Sequence, residues 1–323
     1  MQHLIGIDEA GYGPNLGPLT ISATVWQAPD GIESGDFYER LGDVVVSSRH
    51  KSSGQSAGCV AIADSKALYQ RGTGLRHLER GLWAAWALLD RRPASWSELR
   101  RLLAPGSIDE MASIPWYDGY EATVPVDAEP AELERLAAAV RKAFAAAEVR
   151  LLTMRTRAVF PRRFNELLEE HRSKGIALSH LTLDLAAEVV QPIGDDPITI
   201  VCDKHGGRNR YARLLSEHFP GAVMEIYGES ARQSVYRFGP AERRVEVRFE
   251  RMAESHLPVA LASMASKYFR ELAMESFNRF WCDRIPGLKP TAGYPQDAKR
   301  FKDDIAAKQK ELEIEDRILW RNK

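Results

Sequence analysis

Acidic side chains at the ends of strand-like segments are the residues of this sequence best suited to chemistry. Asp8 and Glu9 are adjacent in GIDEAGYGPNLGP. Asp203 closes the apolar run PITIVCD, and Glu254 follows RRVEVRFE. Carboxylate oxygens without a His or Cys cluster suit a hard cation such as Mg²⁺ or Mn²⁺ better than zinc. Two such ions about 4 Å apart would activate a water and stabilise the leaving oxygen of a phosphodiester. The pattern therefore indicates phosphoryl chemistry.

The first pair of acids stands beside a glycine-rich bend. Adjacent residues of a regular strand point to opposite faces, so Asp8 and Glu9 can share a site only where the strand ends or twists. Gly11 and Gly13 would permit that bend and would let the backbone approach a phosphate or a sugar hydroxyl. The alternative interpretation is a polar turn between two strands.

The other two acids also have alternative interpretations. Ligands of α/β sheets gather beyond the carboxyl ends of strands, which favours a site at Asp203. However, Asp203 or Asn209 could instead cap the helix that follows. Glu246 and Glu250 compete with Glu254, and position along the sequence does not choose between them.

Other kinds of site find no support in the sequence. The eight histidines are scattered, no Gly-x-Ser-x-Gly is present, and no glycine loop ends in Gly-Lys-Ser/Thr. The three cysteines, Cys59, Cys202 and Cys282, lack zinc or disulfide spacing. A net charge of -1 means that any polyanion must be held by local basic patches.

Two basic clusters could line a groove for a nucleic-acid backbone. The first contains Arg155, Arg157, Arg162, Arg163, Arg172 and Lys174, and the second contains Lys204, Arg208, Arg210 and Arg213. Glu166, Glu169 and Glu170 make a solvated, salt-bridged face equally suitable for the first cluster. The second cluster, beside Asp203, is the stronger candidate.

Apolar periodicity predicts alternating strands and helices. Strands are expected at 3–7, 19–26, 149–154, 197–203, 222–227, 234–238 and 243–250, and helices at 75–92, 130–148, 164–190, 208–218 and 257–281. Gly175 is a candidate break in the third helix, residues 27–63 suggest an irregular insertion or a loose hairpin, and the proline-rich segment 93–128 suggests an irregular excursion. Trp83 and Trp86 are expected in the core. This order of elements predicts a mixed α/β sheet with helices on its faces.

Five ordered motifs resemble those of the type 2 ribonucleases H (ribonuclease HII and HIII). GIDEAGYGPNLGPLTISA is similar to the family's Asp-Glu-x-Gly-(Arg or Lys)-Gly strand, and Asp64-Ser65-Lys66 to its Asp-Ser-Lys motif. ITIVCD resembles the strand that ends in the third acid, and Glu254 with PVALASMASKY resembles the fourth acid and its helix. TAGYPQ is similar to the Lys-Gly-Tyr-Pro segment that follows. The motifs span residues 4 to about 300.

The resemblance implies a ribonuclease H-like fold and hydrolysis of the RNA strand of RNA/DNA hybrids, or of ribonucleotides embedded in DNA. The implied catalytic and metal-binding residues, for two Mg²⁺ or Mn²⁺ ions, are Asp8, Glu9, Asp203 and Glu254. The implied substrate-binding residues are Gly11, Tyr12, Gly13 and Tyr294 at the ribonucleotide and Ser65 and Lys66 at the phosphate backbone. Contact with a 2′-hydroxyl distinguishes RNA from DNA.

The sequence departs from the family at two of these positions. Tyr12 replaces the family's basic residue, so its phosphate contact is lost or exchanged for stacking. Glu254 stands where ribonuclease HII has Asp, as in the HIII branch. A hybrid-binding protein that has lost turnover is therefore one alternative, and a Mg²⁺-dependent small-nucleotide phosphohydrolase is another.

The sequence also predicts the organisation of the chain. We expect a catalytic domain at 1–281, with insertions at about 27–60 and 93–148, and a C-terminal loop and helix at 282–323 packed on it or extending it. Asp8 and Glu9 exclude a secretory signal there, and no apolar run is long enough for a membrane span. A cytoplasmic protein without an obligate protein partner is expected.

Overall fold

The structure is a computed structural model that describes residues 1–42, 44–48, 58–69 and 74–322. The strands are β1 Gln2–Ala10, β2 Leu19–Ala28, β3 Val45–Val46, β4 Val60–Ala61, β5 Arg150–Val159, β6 Ile198–Asp203, β7 Glu225–Glu229, β8 Gln233–Phe238 and β9 Val245–Glu250. The helices are α1 Phe37–Leu41, α2 Ser65–Leu68, α3 Arg76–Leu88, α4 Trp96–Leu103, α5 Ile108–Ala112, α6 Pro130–Ala146, α7 Pro161–His171, α8 Lys174–Val190, α9 Ala212–His218, α10 Leu257–Cys282, α11 Pro295–Glu311 and α12 Asp316–Leu319.

Seven of the strands form one mixed sheet in the order β5-β2-β1-β6-β9-β8-β7. β1 pairs antiparallel with β2 and parallel with β6, and β6 pairs parallel with β9. The remaining neighbours are antiparallel. The predicted mixed α/β sheet flanked by helices is confirmed.

Both faces of the central strands are buried, which explains why their sequences are continuously apolar. Along β1, Leu4 belongs to one core cluster and Ile5 to the other. The first cluster includes much of α10, and the second includes much of α8. A Cβ at Gly6 would lie 2.2 Å from the carbonyl carbon of Pro258, so a glycine in β1 permits the close approach of α10.

The proline-rich segment 93–128 is more regular than the sequence predicts. Ser95 caps α4 by accepting a hydrogen bond from the Glu98 N–H, and α5 follows. Pro93 and Pro105 lie outside these two helices, so they bound the helices without breaking them. Trp83 and Trp86 are core residues, as predicted.

One smaller prediction was wrong, and for a second segment one of the two alternatives is excluded. The break after α7 lies at Arg172, which adopts a left-handed φ of 53°, and not at Gly175; Ser173 then caps α8. In the segment 27–63, β3 and β4 pair in parallel and so do not form a hairpin. Positions 43 and 49–57 of that segment lie outside the described residues.

C-terminal residues pack into the same core as the sheet. Phe301 of α11 lies 5.4 Å, between ring centroids, from Phe277 of α10, and Leu319 of α12 is fully buried. Among the helices described, none is long and apolar enough to cross a membrane.

Candidate active site

Strand directions bring the predicted acids to one edge of the sheet. β1, β6 and β9 are mutually parallel neighbours, so their carboxyl ends share an edge. Ile7 pairs with Cys202, which places Asp8 and Asp203 one residue later on adjacent strands. Glu254 lies on a single 3₁₀ turn, Ala253–Ser255, just after β9.

Asp8 and Glu9 lie within the strand and not in the bend that the sequence suggests. β1 continues to Ala10 because Asp8 pairs with Ser22 and Glu9 with Ile21 of β2. Their carboxyl groups are nevertheless close enough to interact. Burial, and next the charge of Glu9, raise the pKa of Asp8 well above its usual value. Burial, and next the charge of Asp203, raise the pKa of Glu9 to about 7.

Asp203 faces the same group of acids and does not cap a helix. α9 begins only at Ala212, after Tyr211, and has no side-chain cap. Burial raises the pKa of Asp203 even though backbone N–H groups of residues 252–253 and Lys204 donate to it. The alternative that Asp203 or Asn209 serves as the helix cap is therefore wrong.

Hydrogen-bond partners separate Glu254 from its two competitors. Glu246 is paired with Arg237 and Arg248. Glu250 accepts from Gln233 Nε2 at 2.7 Å and lies 3.1 Å from His256 Nε2, which lowers its pKa.

Glu254 is in a different electrostatic situation. Burial, and then the charges of Asp203 and Asp64, raise the pKa of Glu254. Of the three acids on or after β9, Glu246, Glu250 and Glu254, it is therefore the one whose charge is met mainly by other negative charges.

Lys66 is the cation placed among these acids. Partial burial opposes its charged form, but the charges of Asp64, Asp8 and Glu254 together raise its pKa. Asp64 also caps α2 by accepting from the Lys66 N–H at 3.1 Å. Asp64 is thus a further carboxylate at the site that the sequence analysis quoted only as part of a motif.

The donor set fits a hard divalent cation. In residues 1–42, 44–48, 58–69 and 74–322, no three His, Cys, Asp or Glu side chains form a ready-made metal-binding group. Binding of an ion here would therefore require the carboxylates to turn toward it. Every candidate donor is a carboxylate oxygen, and a cation would relieve the burial and repulsion that raise the pKa values of Asp8, Glu9, Asp203 and Glu254.

Two serines of α10 hydrogen-bond to Asp8. They were not predicted as site residues from the sequence. Ser263 hydrogen-bonds the Asp8 carboxyl group and lies 3.0 Å from the hydroxyl of Ser65. The Ser266 hydroxyl donates to the Asp8 carbonyl at 3.0 Å. The spacing Ser263 and Ser266, one helical turn apart, was the available signal.

The glycine bend, residues 11–18, is held by two buried arginines. Arg270 Nη2 donates to the carbonyls of Leu16 at 3.1 Å and Ala292 at 3.3 Å, and its Nη1 donates to Pro18. Arg321 Nη2 donates to the carbonyl of Gly11 at 2.6 Å and also to Pro14. No sequence pattern pointed to either arginine.

Glycine is required at position 11 for two reasons. Its φ of +86° is left-handed, and a Cβ there would lie 2.7 Å from Arg270 Cδ. The Arg270 side chain, itself hydrogen-bonded to the bend, cannot move away without losing those bonds.

The C-terminal segment 320–322, which we call the tail, completes the support of the bend. The Arg321 N–H donates to the Asn15 carbonyl at 2.8 Å, and Asn15 Nδ2 donates back to the Arg321 carbonyl at 2.8 Å. Leu16 and Trp320 form an antiparallel bridge. The bend is thereby clamped between α10 and the tail.

Four of the six predicted substrate-binding residues lie in or beside this bend, and Ser65 and Lys66 lie on α2. A Cβ at Gly13 would be 3.8 Å from Tyr294 Cε1, so the bend meets the ring of Tyr294, which is 56% exposed. The Tyr12 hydroxyl lies 3.8 Å from the Cβ positions of both Gly175 and Gly206. Ser65 is buried and Lys66 exposed on the first turn of α2.

Comparison with known proteins gives matches only among solved structures. No protein-family model and no curated protein matches the sequence. The chain is similar to ribonuclease H2 from Pyrococcus horikoshii OT3, with 16% identity and a TM-score of 0.44, over 98% of this chain and 92% of that one. It is also similar to Aquifex aeolicus RNase H3, with 15% identity and a TM-score of 0.38, over 98% and 71%. A third is Bst-RNase HIII in complex with Mn²⁺, with 13% identity and a TM-score of 0.38, over 99% and 66%. The likeness concerns the fold alone.

Proposed function

We propose that this chain is a divalent-metal-dependent endoribonuclease that hydrolyses the RNA strand of RNA/DNA hybrids, or ribonucleotides embedded in DNA. The observation that carries the proposal is the group of acids at the carboxyl ends of β1 and β6 and after β9. Their pKa values are raised by burial and by one another. Such a group is costly to maintain unless a cation binds it.

The chain's own residues would divide the work as follows. Asp8, Glu9, Asp203 and Glu254 would hold two Mg²⁺ or Mn²⁺ ions, which when bound supply an activated water and stabilise the leaving 3′ oxygen. Ser263 and Ser266 fix the position of Asp8 through its carboxyl and carbonyl groups. Lys66 would contact a phosphate oxygen of the strand next to the acids.

Recognition of RNA would fall to the glycine bend. Gly11 supplies the left-handed turn, Gly13 leaves the backbone open to close approach, and Tyr294 presents an exposed ring beside Gly13. A ribose placed there could offer its 2′-hydroxyl to the backbone and to the Tyr294 hydroxyl, a contact that DNA lacks. Tyr12, in place of a basic residue, would contribute a ring and not a charge.

The test is cleavage of a panel of end-labelled duplexes with Mg²⁺ or Mn²⁺. The panel contains an RNA/DNA hybrid, a DNA duplex with one ribonucleotide, an RNA duplex and a DNA duplex. We expect cleavage of the first two substrates with 3′-hydroxyl and 5′-phosphate ends. Asp203→Asn should abolish the cleavage. Glu250→Gln, a matched change at the end of the neighbouring strand, should retain it because Glu250 is already paired with Gln233 and His256.

Two other results would contradict the proposal. Tight hybrid binding without product under either metal would identify a binding protein that has lost turnover. Hydrolysis of mononucleotides without hybrid cleavage would identify a small-nucleotide phosphohydrolase that uses the same acids.

A further inference from the structure

A basic cavity opens next to the acids, on the loop that follows β6. Its volume is about 470 Å³, and it is lined by Ser173, Gly175, His205, Gly206, Gly207, Arg208, Asn209 and Arg210. None of these lining residues, all within the described part of the chain, carries a carboxylate. We call this cavity the arginine pocket. Its chemistry suits an anion, in contrast to the acidic site a few residues away.

The loop that forms the pocket is braced from the inside. Lys204 Nζ donates to the Arg208 carbonyl at 3.1 Å and to the Ser234 hydroxyl at 2.9 Å. The buried His205 ring lies 3.0 Å, through Nδ1, from the Ser179 hydroxyl. Lys204 and His205 are therefore committed to holding the loop, and they are not available to a ligand.

Tyr211 completes the brace. Its hydroxyl accepts from the His205 N–H at 3.1 Å, and its ring stacks on Phe249 of β9 with centroids 3.6 Å apart. The loop is consequently fixed to the sheet at both of its ends. A pocket on such a loop exists before any ligand arrives, so binding requires little ordering of the chain.

Two glycines form the floor of the pocket. Gly206 and Gly207 both have left-handed φ values, +55° and +77°, which other residues rarely adopt. Nothing lies within 4 Å of a Cβ built on Gly207. Glycine at position 207 is therefore needed for the backbone conformation and not for close packing. The backbone of Gly207 is open to a ligand.

Arg208 holds an unused donor at this place. Its Nε is buried and has no hydrogen-bond partner among the described residues. Its guanidinium carbon lies 5.9 Å from the centre of the Tyr211 ring, which orients the group. A buried donor without a partner costs free energy, and a small turn of the Arg208 side chain toward a ligand oxygen would remove that cost.

Arg210 adds a second, mobile positive charge. Its side chain is 89% exposed and lies 3.7 Å from Glu229, an arrangement that contributes little in water. Arg210 can therefore turn into the pocket at low cost. On the opposite wall, Ser173 caps the first turn of α8, which contains no acidic residue.

Tyr12 connects the pocket to the glycine bend. Its hydroxyl lies 3.8 Å from the Cβ positions of Gly175 and Gly206, which are both residues of the pocket wall. A strand that crosses the bend at Tyr12 would therefore run directly into the arginine pocket.

We propose that the arginine pocket binds a backbone phosphate of the nucleic-acid substrate and fixes the register of the strand at the acids. The inference rests on the proposed function and adds a phosphate-binding site to it. Arg208 and Arg210 would donate to the non-bridging oxygens, with Arg208 Nε finding its partner there.

The test uses the full chain and a fluorescently labelled RNA/DNA hybrid. Arg208→Gln/Arg210→Gln should weaken binding about 10- to 100-fold and lower the slope of log affinity against log salt by about 1 to 2, since two cations no longer contact phosphate. The positions of cleavage along the hybrid should become less defined in this variant, because the strand is no longer held in one register at the acids. Arg279→Gln is the control, because Arg279 is a surface arginine of α10, 61% exposed and paired with Asp283 outside the pocket. It should change neither quantity.

A second measurement replaces one phosphate at a time by a neutral methylphosphonate. One linkage near the cut should weaken binding to the wild type and have no further effect in the double variant. Equal losses of affinity in the double variant and in Arg279→Gln would overturn the pocket, because they would reflect the loss of positive charge in general and not a specific phosphate contact. Unchanged affinity in the double variant would overturn it as well.

The outcomes separate the pocket from the proposed function. If the wild type binds nucleic acid through the arginines but cleaves no hybrid, the proposed activity fails and the pocket stands. If it cleaves hybrid without dependence on the arginines, the pocket fails. If it binds no nucleic acid, both fail. Thermal unfolding of each variant within a few degrees of the wild type excludes misfolding.

Discussion

The carboxylate of Glu79 and the carboxylates of the candidate site have opposite electrostatic surroundings. Glu79 of α3 is completely buried, and it accepts hydrogen bonds from the N–H groups of residues 126–128 and from the Tyr268 hydroxyl. The acids at the edge of the sheet face mainly one another, and Lys66 is the cation placed among them.

The difference separates structural acids from acids kept for a ligand. Three backbone donors and one hydroxyl make the charge of Glu79 part of the fold, because each replaces a lost water. The pKa of Asp8 is raised instead, so its ionised form destabilises the folded chain. Natural sequences keep such an arrangement where function requires it.

Removal of the carboxylate charge of Asp8 is the strongest test of the difference between the site acids and Glu79. We expect Asp8→Asn to lower the rate of hybrid cleavage by at least about a thousandfold, because a metal ligand is lost. The same change should raise the free energy of unfolding by about 1 kcal/mol, because buried repulsion is relieved. Cleavage assays and urea denaturation measure the two effects. A variant that is both inactive and less stable would place Asp8 with the structural acids.

Removal of the charge of Glu79 should have the opposite outcome. Glu79→Gln leaves at least one of the donors around it without an acceptor, so we expect a loss of about 3 kcal/mol of unfolding free energy. At temperatures where the variant is folded, kcat should be unchanged. Urea denaturation gives the first quantity and the hybrid assay the second. Unchanged stability would show that Glu79 is not the structural acid that its contacts indicate.

Cation binding should stabilise the folded protein only when the acids of the site are intact. Mg²⁺ or Mn²⁺ at ten times its Kd should add about 1.4 kcal/mol to the stability of the wild type, measured as a rise in Tm. Glu9→Gln should reduce this rise, and Glu79→Gln should keep it. An equal rise in all three proteins would point to non-specific binding.

A histidine away from the site, His180, should have a smaller effect on the stability of the protein. Burial, and then His171 and His218, lower the pKa of His180. The folded chain therefore resists protonation that the unfolded chain accepts below about pH 6.5. His180 thus contributes stability above that pH, and the contribution is lost as the pH falls.

The pH dependence of unfolding in wild type and His180→Asn measures this effect. We expect the difference in stability between the two proteins to narrow as the pH falls from 7 to 5, by less than the effect of Glu79→Gln. Glu217 and Asp184 also face this histidine group and limit the change. A difference in stability between the two proteins that stays constant from pH 7 to 5 would contradict the lowered pKa of His180.

Sequence reasoning found the parts of the site that obey local rules. Asp8 and Asp203 each belong to or end an apolar strand, and parallel pairing then brings them to one edge. Spacing alone did not choose Glu254 over Glu250, although the resemblance to the type 2 ribonucleases H implied Glu254. The physical reason is tertiary, because Glu250 has His256 and Gln233 as partners.

The supports of the glycine bend were beyond the sequence for the same reason. Arg321 donates to Gly11 from 310 positions away, and neither residue stands in a pattern that names the other. The regular elements at 93–128 were missed because four prolines suggested an irregular path. In fact Pro93 and Pro105 lie outside the helices of this segment, and Ser95 supplies the cap.

The contacts between the tail and the glycine bend can form only after the ribosome has made both segments, so the support of the bend is completed late in synthesis. Asn15 and its partner Arg321 are 306 positions apart. At roughly 5–20 residues per second, a ribosome would make them about 15 to 60 seconds apart. A nascent chain that already has its acidic residues would still lack residues 320–322, and proteolytic loss of these residues would leave the bend in that same unsupported condition.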